Sequence, residues 1–98
     1  MVKHPDKVPV YIGVAGDETT IPDLDRHYYL IDKDFTVGQI VCIIRKKIQI
    51  KSMYAIFVFV GDGILPPTSA NISEVYSEHK SPIDALLHVT YRAEKTFG

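Results

Sequence analysis

The residue best placed for chemistry is the last one, Gly98. A glycine has no side chain, so a terminal glycine carboxylate can enter a narrow catalytic channel. An exposed tail, Arg92 to Gly98, would let that carboxylate reach a centre away from the fold. The chemistry this allows is covalent attachment, with the chain as substrate. Many chains end in glycine, so this residue alone does not establish it. The other reactive residues form no constellation. His4, His27, His79 and His88 have no metal-ligand spacing with Cys42 and read as surface or edge residues. Cys42 has no base near it in sequence and reads as an inert helix cysteine. Asp23-Leu24-Asp25 reads as a turn-forming loop rather than a cation site. Gly61-Asp62-Gly63 reads as a turn, since no Lys-Ser/Thr follows it as a phosphate loop requires. Arg45-Lys46-Lys47 reads as a solvated helix end, where cations favour the helix dipole. The chain is therefore expected not to be an enzyme and to hold no cofactor or metal.

Something must position these residues, and 98 residues suit one domain. Apolar residues at 46% and charged residues at 23% give a globular composition rather than a disordered one. The net charge of −1, with both signs mixed along the chain, argues against nucleic acid, which needs an unbalanced basic face. A single cysteine allows no internal disulfide and fits a reducing cytoplasm. No apolar run approaches the ~18–20 residues of a spanning helix, and Met1 to Pro5 lack the apolar segment of a secretory signal. Any membrane role is then expected to come from an attached lipid or a partner.

Val8, Val10, Ile12 and Val14 alternate with Pro9, Tyr11 and Gly13, which predicts a strand over 8–14. Pro9 cannot donate to a ladder, so it belongs at an edge or at the strand's start. A loop over 15–26 leads to a second strand over 27–31, with Tyr29 and Ile31 on one face and Tyr28 and Leu30 on the other. Thr36 and Gln39 form a capping-box pattern, and Val37, Ile40, Val41, Ile44 and Ile48 fall on one helical stripe. Ile43 lies off that stripe, on the flank beside Ile40 and Lys47. The apolar run 55–60 reads as a central buried strand. Asp62-Gly63 marks a hairpin turn, and a short strand closed by Pro66-Pro67 follows. A second helix is expected over 72–79, with Ser69 or Asn71 at its cap, and a last strand over 85–91. The order is that of an α+β domain, either a ubiquitin-like β-grasp or a ferredoxin-like sandwich. The first strand pair, one amphipathic helix and then the buried strand favour β-grasp.

Five stretches then carry a family likeness: Pro5-Asp6-Lys7-Val8-Pro9-Val10; Ile21-Pro22-Asp23-Leu24-Asp25; Thr36-Val37-Gly38-Gln39 with Ile44-Arg45-Lys46-Lys47-Ile48; Leu65-Pro66-Pro67-Thr68-Ser69-Ala70; and Tyr76-Ser77-Glu78-His79-Lys80. The terminal Thr96-Phe97-Gly98 joins them. Each is weak alone; in this order along the chain they are specific. The sequence resembles the autophagy ubiquitin-like modifiers, the group of microtubule-associated light chain 3 and the GABA-receptor-associated protein. The resemblance implies a single β-grasp domain over 1–98 with 92–98 as its conjugation tail. It implies that an activating enzyme adenylates Gly98 with ATP, and that the acyl group passes through a conjugating cysteine to phosphatidylethanolamine. The expected places are the cytoplasm and, once lipid is attached, the autophagosome membrane, where the modifier recruits cargo receptors. Family precursors carry residues beyond the glycine that a cysteine protease removes, and the same protease class deconjugates the lipid. Here the sequence stops at Gly98, so the expectation is an end already mature or already cut. The alternative is an unconjugated adaptor of the same fold for trafficking or cytoskeletal partners.

The resemblance further implies a groove for peptides with an aromatic residue, two spacers and an aliphatic residue, added as a strand beside the second strand. Its aliphatic pocket would use Tyr29, Ile31, Phe35, Ile40 and Ile43. Its aromatic pocket would use Pro9, Tyr11, Tyr28, Leu30 and Leu86, and Lys47 would meet an acidic peptide flank. Three departures stand out. Relatives carry two N-terminal helices before the Pro-Asp-Lys segment, whereas only Met1 to His4 precede it here, so Tyr11, Tyr28, Leu30 and Leu86 are expected to be uncovered. Tyr28 stands where the family usually has lysine. Asp32 stands where it usually has proline.

Overall fold

A computed structural model of the chain describes residues 6–17, 21–50 and 54–95. Six elements form: β1 (Lys7–Val14), β2 (Tyr28–Asp32), α1 (Val37–Ile48), β3 (Tyr54–Val60), α2 (Ile72–His79) and β4 (Leu87–Lys95). The sheet order is β2-β1-β4-β3. β1 pairs antiparallel with β2 and parallel with β4, while β3 pairs antiparallel with β4. The parallel centre excludes the ferredoxin-like alternative and gives the ubiquitin-like fold.

Alternation along the strands decides which face is dry. Val8, Val10 and Ile12 of β1, Ile31 of β2, Ile56, Val58 and Val60 of β3, and Leu87, Val89 and Tyr91 of β4 are buried. They form one cluster with Val37, Ile40 and Ile44 of α1 and Ile72 and Val75 of α2. Each such aliphatic side chain contributes about 1.5–3 kcal/mol by leaving water. Both helices thus pack on one face. The opposite face presents Pro9, Tyr11, Tyr28, Leu30, Phe57, Phe59, His88, Thr90 and Arg92, and no described element crosses it.

The helix starts are tied to each other. The Thr36 hydroxyl accepts from the Gln39 amide at 3.2 Å, and the Gln39 side chain accepts from the Thr36 amide at 2.8 Å, completing the capping box. The Val37 and Gly38 amides donate to Ala70 and Thr68, and the Ile72 amide donates to Phe35. These bonds satisfy donors that a helix N-terminus leaves without intrahelical partners. Gly38 allows the approach, because a Cβ there would stand 3.3 Å from the Thr68 carbonyl. Asn71 caps α2 by position, with no side-chain hydrogen bond. α1 ends at Gln49 in the left-handed region, and Arg45 donates to the Tyr54 carbonyl at 2.6 Å, joining the helix to the start of β3.

Four expectations are corrected. β3 is an edge strand, not a central one. It reads as continuously apolar because Phe57 and Phe59 occupy the open face, with the Arg92 guanidinium 5.7 Å from the Phe59 ring. The expected short strand shrinks to one bridge, Val60 with Ile64, across a three-residue turn whose Gly61 and Gly63 both have positive φ. Pro66 and Pro67 supply no N–H to extend it. The last strand starts later and runs further than expected: Ala85 has φ 60 and stays outside, while Arg92 to Lys95 pair with β3 as far back as Tyr54. Those four residues belong to the sheet rather than to a tail, and residues 96–98 lie outside the described residues. Pro9 sits in a central strand, but β4 pairing begins only at Val10, so its missing donor interrupts no ladder.

Ile44 has no exposed surface. Ile44→Ala is expected to cost about 3 kcal/mol, read as a lower urea midpoint. Cys42→Ser, exposed on the same helix, should stay within about 0.5 kcal/mol of the parent.

Candidate functional site

β2 is a sheet edge, and the phase of its ladder fixes what that edge offers. The bonds Ile12 N–H to His27 C=O (2.8 Å) and Lys33 N–H to Asp6 C=O (3.0 Å) flank the pairs Val10–Tyr29 and Val8–Ile31. In an antiparallel ladder hydrogen-bonded pairs recur every second residue. The amide groups of Tyr29 and Ile31 therefore face β1, and those of Tyr28 and Leu30 face outward. The Asp32 carbonyl also lies on the outer side, but it already accepts from the Phe35 amide at 3.0 Å.

On the open face beside this edge lies a shallow hollow of about 170 Å³ lined by Pro9, Val10, Tyr28, Tyr29, Leu30 and Leu86. Tyr28 and Leu30 are 65% and 53% exposed, so the hollow is accessible. Tyr11 does not line it. The Tyr11 ring is held by three neighbours: Tyr28 edge-on at 5.1 Å, His27 stacked at 5.2 Å and His88 tilted at 5.6 Å. Tyr11 is thus half-buried by its neighbours, and Leu86 is half-buried too, although no described element covers this face.

Each of these histidines is clipped to an aspartate four residues earlier. His27 Nε2 is 2.8 Å from Asp23 and His88 Nε2 is 2.8 Å from Asp84. Asp23 also accepts from the Val14 and Leu24 amides, at 3.0 and 2.8 Å. Burial pushes its carboxyl up, but the Val14 amide, the His27 side chain and the Leu24 amide together hold it below the ordinary 3.8. The Leu86 amide, followed by the His88 ring, holds the Asp84 carboxyl low in the same way. Along the sequence these histidines look scattered. The signal that could have joined them was the repeated Asp-x-x-x-His spacing, in segments that are not helical.

On the helix-covered face the expected aliphatic-pocket residues divide by burial. Ile31 and Ile40 belong to the core, at 7% and 1% exposure, so they support a pocket rather than offer an accessible wall. Tyr29, Phe35 and Ile43 are half-buried. Tyr29 donates to the Arg26 carbonyl at 2.7 Å, and the Lys47 ammonium stands 5.8 Å from its ring. Tyr29 and Lys47 share a groove of about 600 Å³ with residues 22–26 and Ile48. Gly98 lies outside the described residues.

The sequence profile described as Autophagy protein Atg8 ubiquitin like matches residues 1–98. The chain belongs to the Atg8 family. It is a ubiquitin-like autophagy protein. Autophagy-related protein 8a of Arabidopsis thaliana is 47% identical over 96 residues, covering 98% of this chain and 76% of that protein. Autophagy-related protein 8 of Schizosaccharomyces pombe is 48% identical over 96 residues, covering 98% and 77%. The crystal structure of Trypanosoma brucei ATG8 matches with a TM-score of 0.84 and 35% identity, covering 98% of this chain and 80% of that one. This Atg8-family chain has no helix among its described residues long and apolar enough to cross a membrane.

The Asp23 clip in this Atg8-family sheet has a pH signature. A carboxyl held low in the fold stabilises it above the unfolded aspartate value, and the contribution is lost as pH falls through the folded value. Asp23→Asn is expected to lower the urea midpoint by a constant amount above about pH 5. The gap to the parent should close once pH falls below 3.8. Urea melts at pH 2.5 to 7 measure both limbs; a gap that persists undiminished at the acid end would refute the assignment.

Proposed function

We propose that this chain is an autophagy modifier joined through Gly98 to phosphatidylethanolamine, and that on the autophagosome membrane it recruits cargo receptors through the β2 edge. The observation that carries the recruitment reading is the pairing of the free Tyr28 and Leu30 amide groups with accessible side chains on both faces. In an extended peptide, residues three apart point to opposite sides and lie about 10 Å apart. An aromatic-x-x-aliphatic peptide added at β2 would send its aromatic ring towards the hollow of Pro9, Tyr28, Leu30 and Leu86. Its aliphatic residue would then meet the opposite face, with Tyr29, Phe35 and Ile43. Tyr11 would act through Tyr28, and Ile31 and Ile40 as packed support.

The substitution of Tyr28 for the usual lysine changes the flank. A cation next to the hollow would attract acidic residues; a phenol offers stacking and one hydroxyl instead. Lys47 keeps a cation near the other end of the edge, 5.8 Å from the Tyr29 ring. Lys7 is partly engaged, 4.0 Å from Asp32. The proposed preference is for a strongly apolar peptide core with an acidic residue towards Lys47.

Conjugation rests on the Atg8 membership together with the terminal glycine. The activating enzyme, the conjugating enzyme and the deconjugating cysteine protease are the partners this reading requires. Incubation with the matching enzymes, ATP and phosphatidylethanolamine liposomes should yield a lipid adduct by mass spectrometry, and Gly98→Ala should slow it at least tenfold. An unreacted chain beside a working control would instead leave the unconjugated adaptor. For the groove, Leu30→Ala is expected to weaken an aromatic-x-x-aliphatic peptide about tenfold in a calorimetric titration. Amide shifts on peptide addition should centre on Tyr28 to Ile31 and Ile43; shifts confined to β3 would sink the β2 site.

A further inference from the structure

The loop between α2 and β4 carries the only Ser-Pro or Thr-Pro pair in the chain, Ser81-Pro82. The loop is presented outward. Pro82, Asp84 and Ala85 are exposed, and Ile83 is 93% exposed. Two backbone bonds close it, Ser81 N–H to Leu86 C=O and Ala85 N–H to Ser81 C=O, at 2.8 and 2.9 Å. The Tyr76 hydroxyl adds a bond to the Ala85 carbonyl. Ala85 has φ 60, a left-handed conformation that a residue with a Cβ adopts at a cost. Opening this loop breaks these bonds but uncovers little apolar surface, since residues 82–85 are already exposed. The Ser81 oxygen accepts from the Ile83 amide at 3.1 Å and its hydroxyl is hydrogen-bonded to Asp84.

Ser81 also faces a hollow of about 460 Å³, lined by Gly61, Asp62, Ile64, His79, Lys80, Ser81, Pro82 and His88. Three of these side chains can carry positive charge: His79, Lys80 and His88. Lys80 rests 5.4 Å from the Tyr76 ring, and among the described residues it has no carboxylate partner. Asp62 is the one carboxylate in the lining, and Asp84 stands on His88. A hydroxyl beside an unpaired lysine and two imidazoles, followed by proline in an exposed loop, is arranged to gain an anion.

We propose that Ser81 is a phosphorylation site for a proline-directed serine/threonine protein kinase, and that the hollow holds its phosphate through Lys80, His79 and His88. The reaction is phosphoryl transfer from ATP. The Ser81 oxygen attacks the γ-phosphorus, an O–P bond forms, the bond to the ADP oxygen breaks, and the hydroxyl proton passes to the kinase's carboxylate base. Pro82 suits a kinase that selects proline after the acceptor, since such an enzyme asks for no backbone N–H there. The product brings about −1.5 to −2 of charge to the loop. It removes the hydroxyl proton shared with Asp84 and sets a second anion beside that carboxylate. Asp84 is then driven from His88 and from the Leu86 amide, and the phosphate takes its place on His88.

The test treats the full chain with ATP and a cyclin-dependent or mitogen-activated kinase, beside a peptide of residues 78–85. Tandem mass spectrometry is expected to find stoichiometric phosphate on Ser81. Pro82→Ala, checked for fold by circular dichroism, should lower the rate at least tenfold. The phosphorus resonance of the folded product should titrate at least half a pH unit below that of the phosphopeptide, and the Leu86 amide should shift. Phosphate on the peptide but not the chain, or on neither, overturns the site. A titration equal to that of the free phosphopeptide overturns the role of the hollow. Neither the phosphate on Ser81 nor its titration involves Gly98 or a bound peptide, so failure here is distinct from failure of the recruitment reading.

Discussion

The parallel pairing of β1 with β4 is the constraint from which the rest follows. The first and last strands lie side by side from Val10–Leu87 to Val14–Tyr91. Parallel neighbours cannot be joined by a tight turn, so the intervening chain must cross over the sheet. Both helices lie on that crossing side, and α1 and α2 share one cluster with the inward residues of all four strands. β2 and β3 are left as edges and one face is left open. The helix starts are then fixed by the bonds between Thr36–Gly38 and residues 68–71, which bind the two crossover segments to each other rather than to the sheet.

The open face has its own order. Tyr11 lies at its centre with a ring or imidazole on three sides, and each such contact contributes on the order of 0.5–1.5 kcal/mol beyond area burial. The aspartates behind His27 and His88 are about half exposed, so the ion pairs themselves contribute little. Their use is positional. Asp23 ties the Val14 amide at the end of β1 to its own loop through the Leu24 amide, and Asp84 bonds the Leu86 amide. The two clips therefore set where Tyr28 and Leu86 stand, and these are walls of the hollow at the β2 edge.

Much of this was legible in the sequence where one face of an element is wet. The alternation in residues 8–14 and 28–31, the capping box at Thr36 and the bounds of α2 all follow from local patterning. It failed where both faces are apolar. Phe57 and Phe59 made β3 look central, because covering by a long side chain such as Arg92 leaves no mark on the pattern of β3 itself. It failed again at β4, whose extension to Lys95 depends on where β3 begins. The candidate groove was legible as a set of residues, and periodicity already set Ile43 off the core stripe, but it did not show that Ile31 and Ile40 lie too deep to be reached. The Asp–His clips were missed because their spacing means something only once the loops are folded.

The β2 edge also limits how a peptide could bind. With the Asp32 carbonyl engaged by Phe35, the outward backbone groups are the amides and carbonyls of Tyr28 and Leu30 and the Asp32 N–H. Such bonds contribute about 1 kcal/mol each net of water. Association costs an estimated 4–15 kcal/mol in lost freedom. Backbone pairing alone therefore does not hold a peptide there; it sets direction and register. The remaining free energy must come from burying two side chains, each contributing about 1.5–3 kcal/mol when fully covered. Covering an aromatic ring needs walls that do not move, and in this chain those walls are Tyr28 and Leu86. The affinity of such a peptide would thus depend on Tyr11 and the two Asp–His clips behind those walls, none of which needs to touch it.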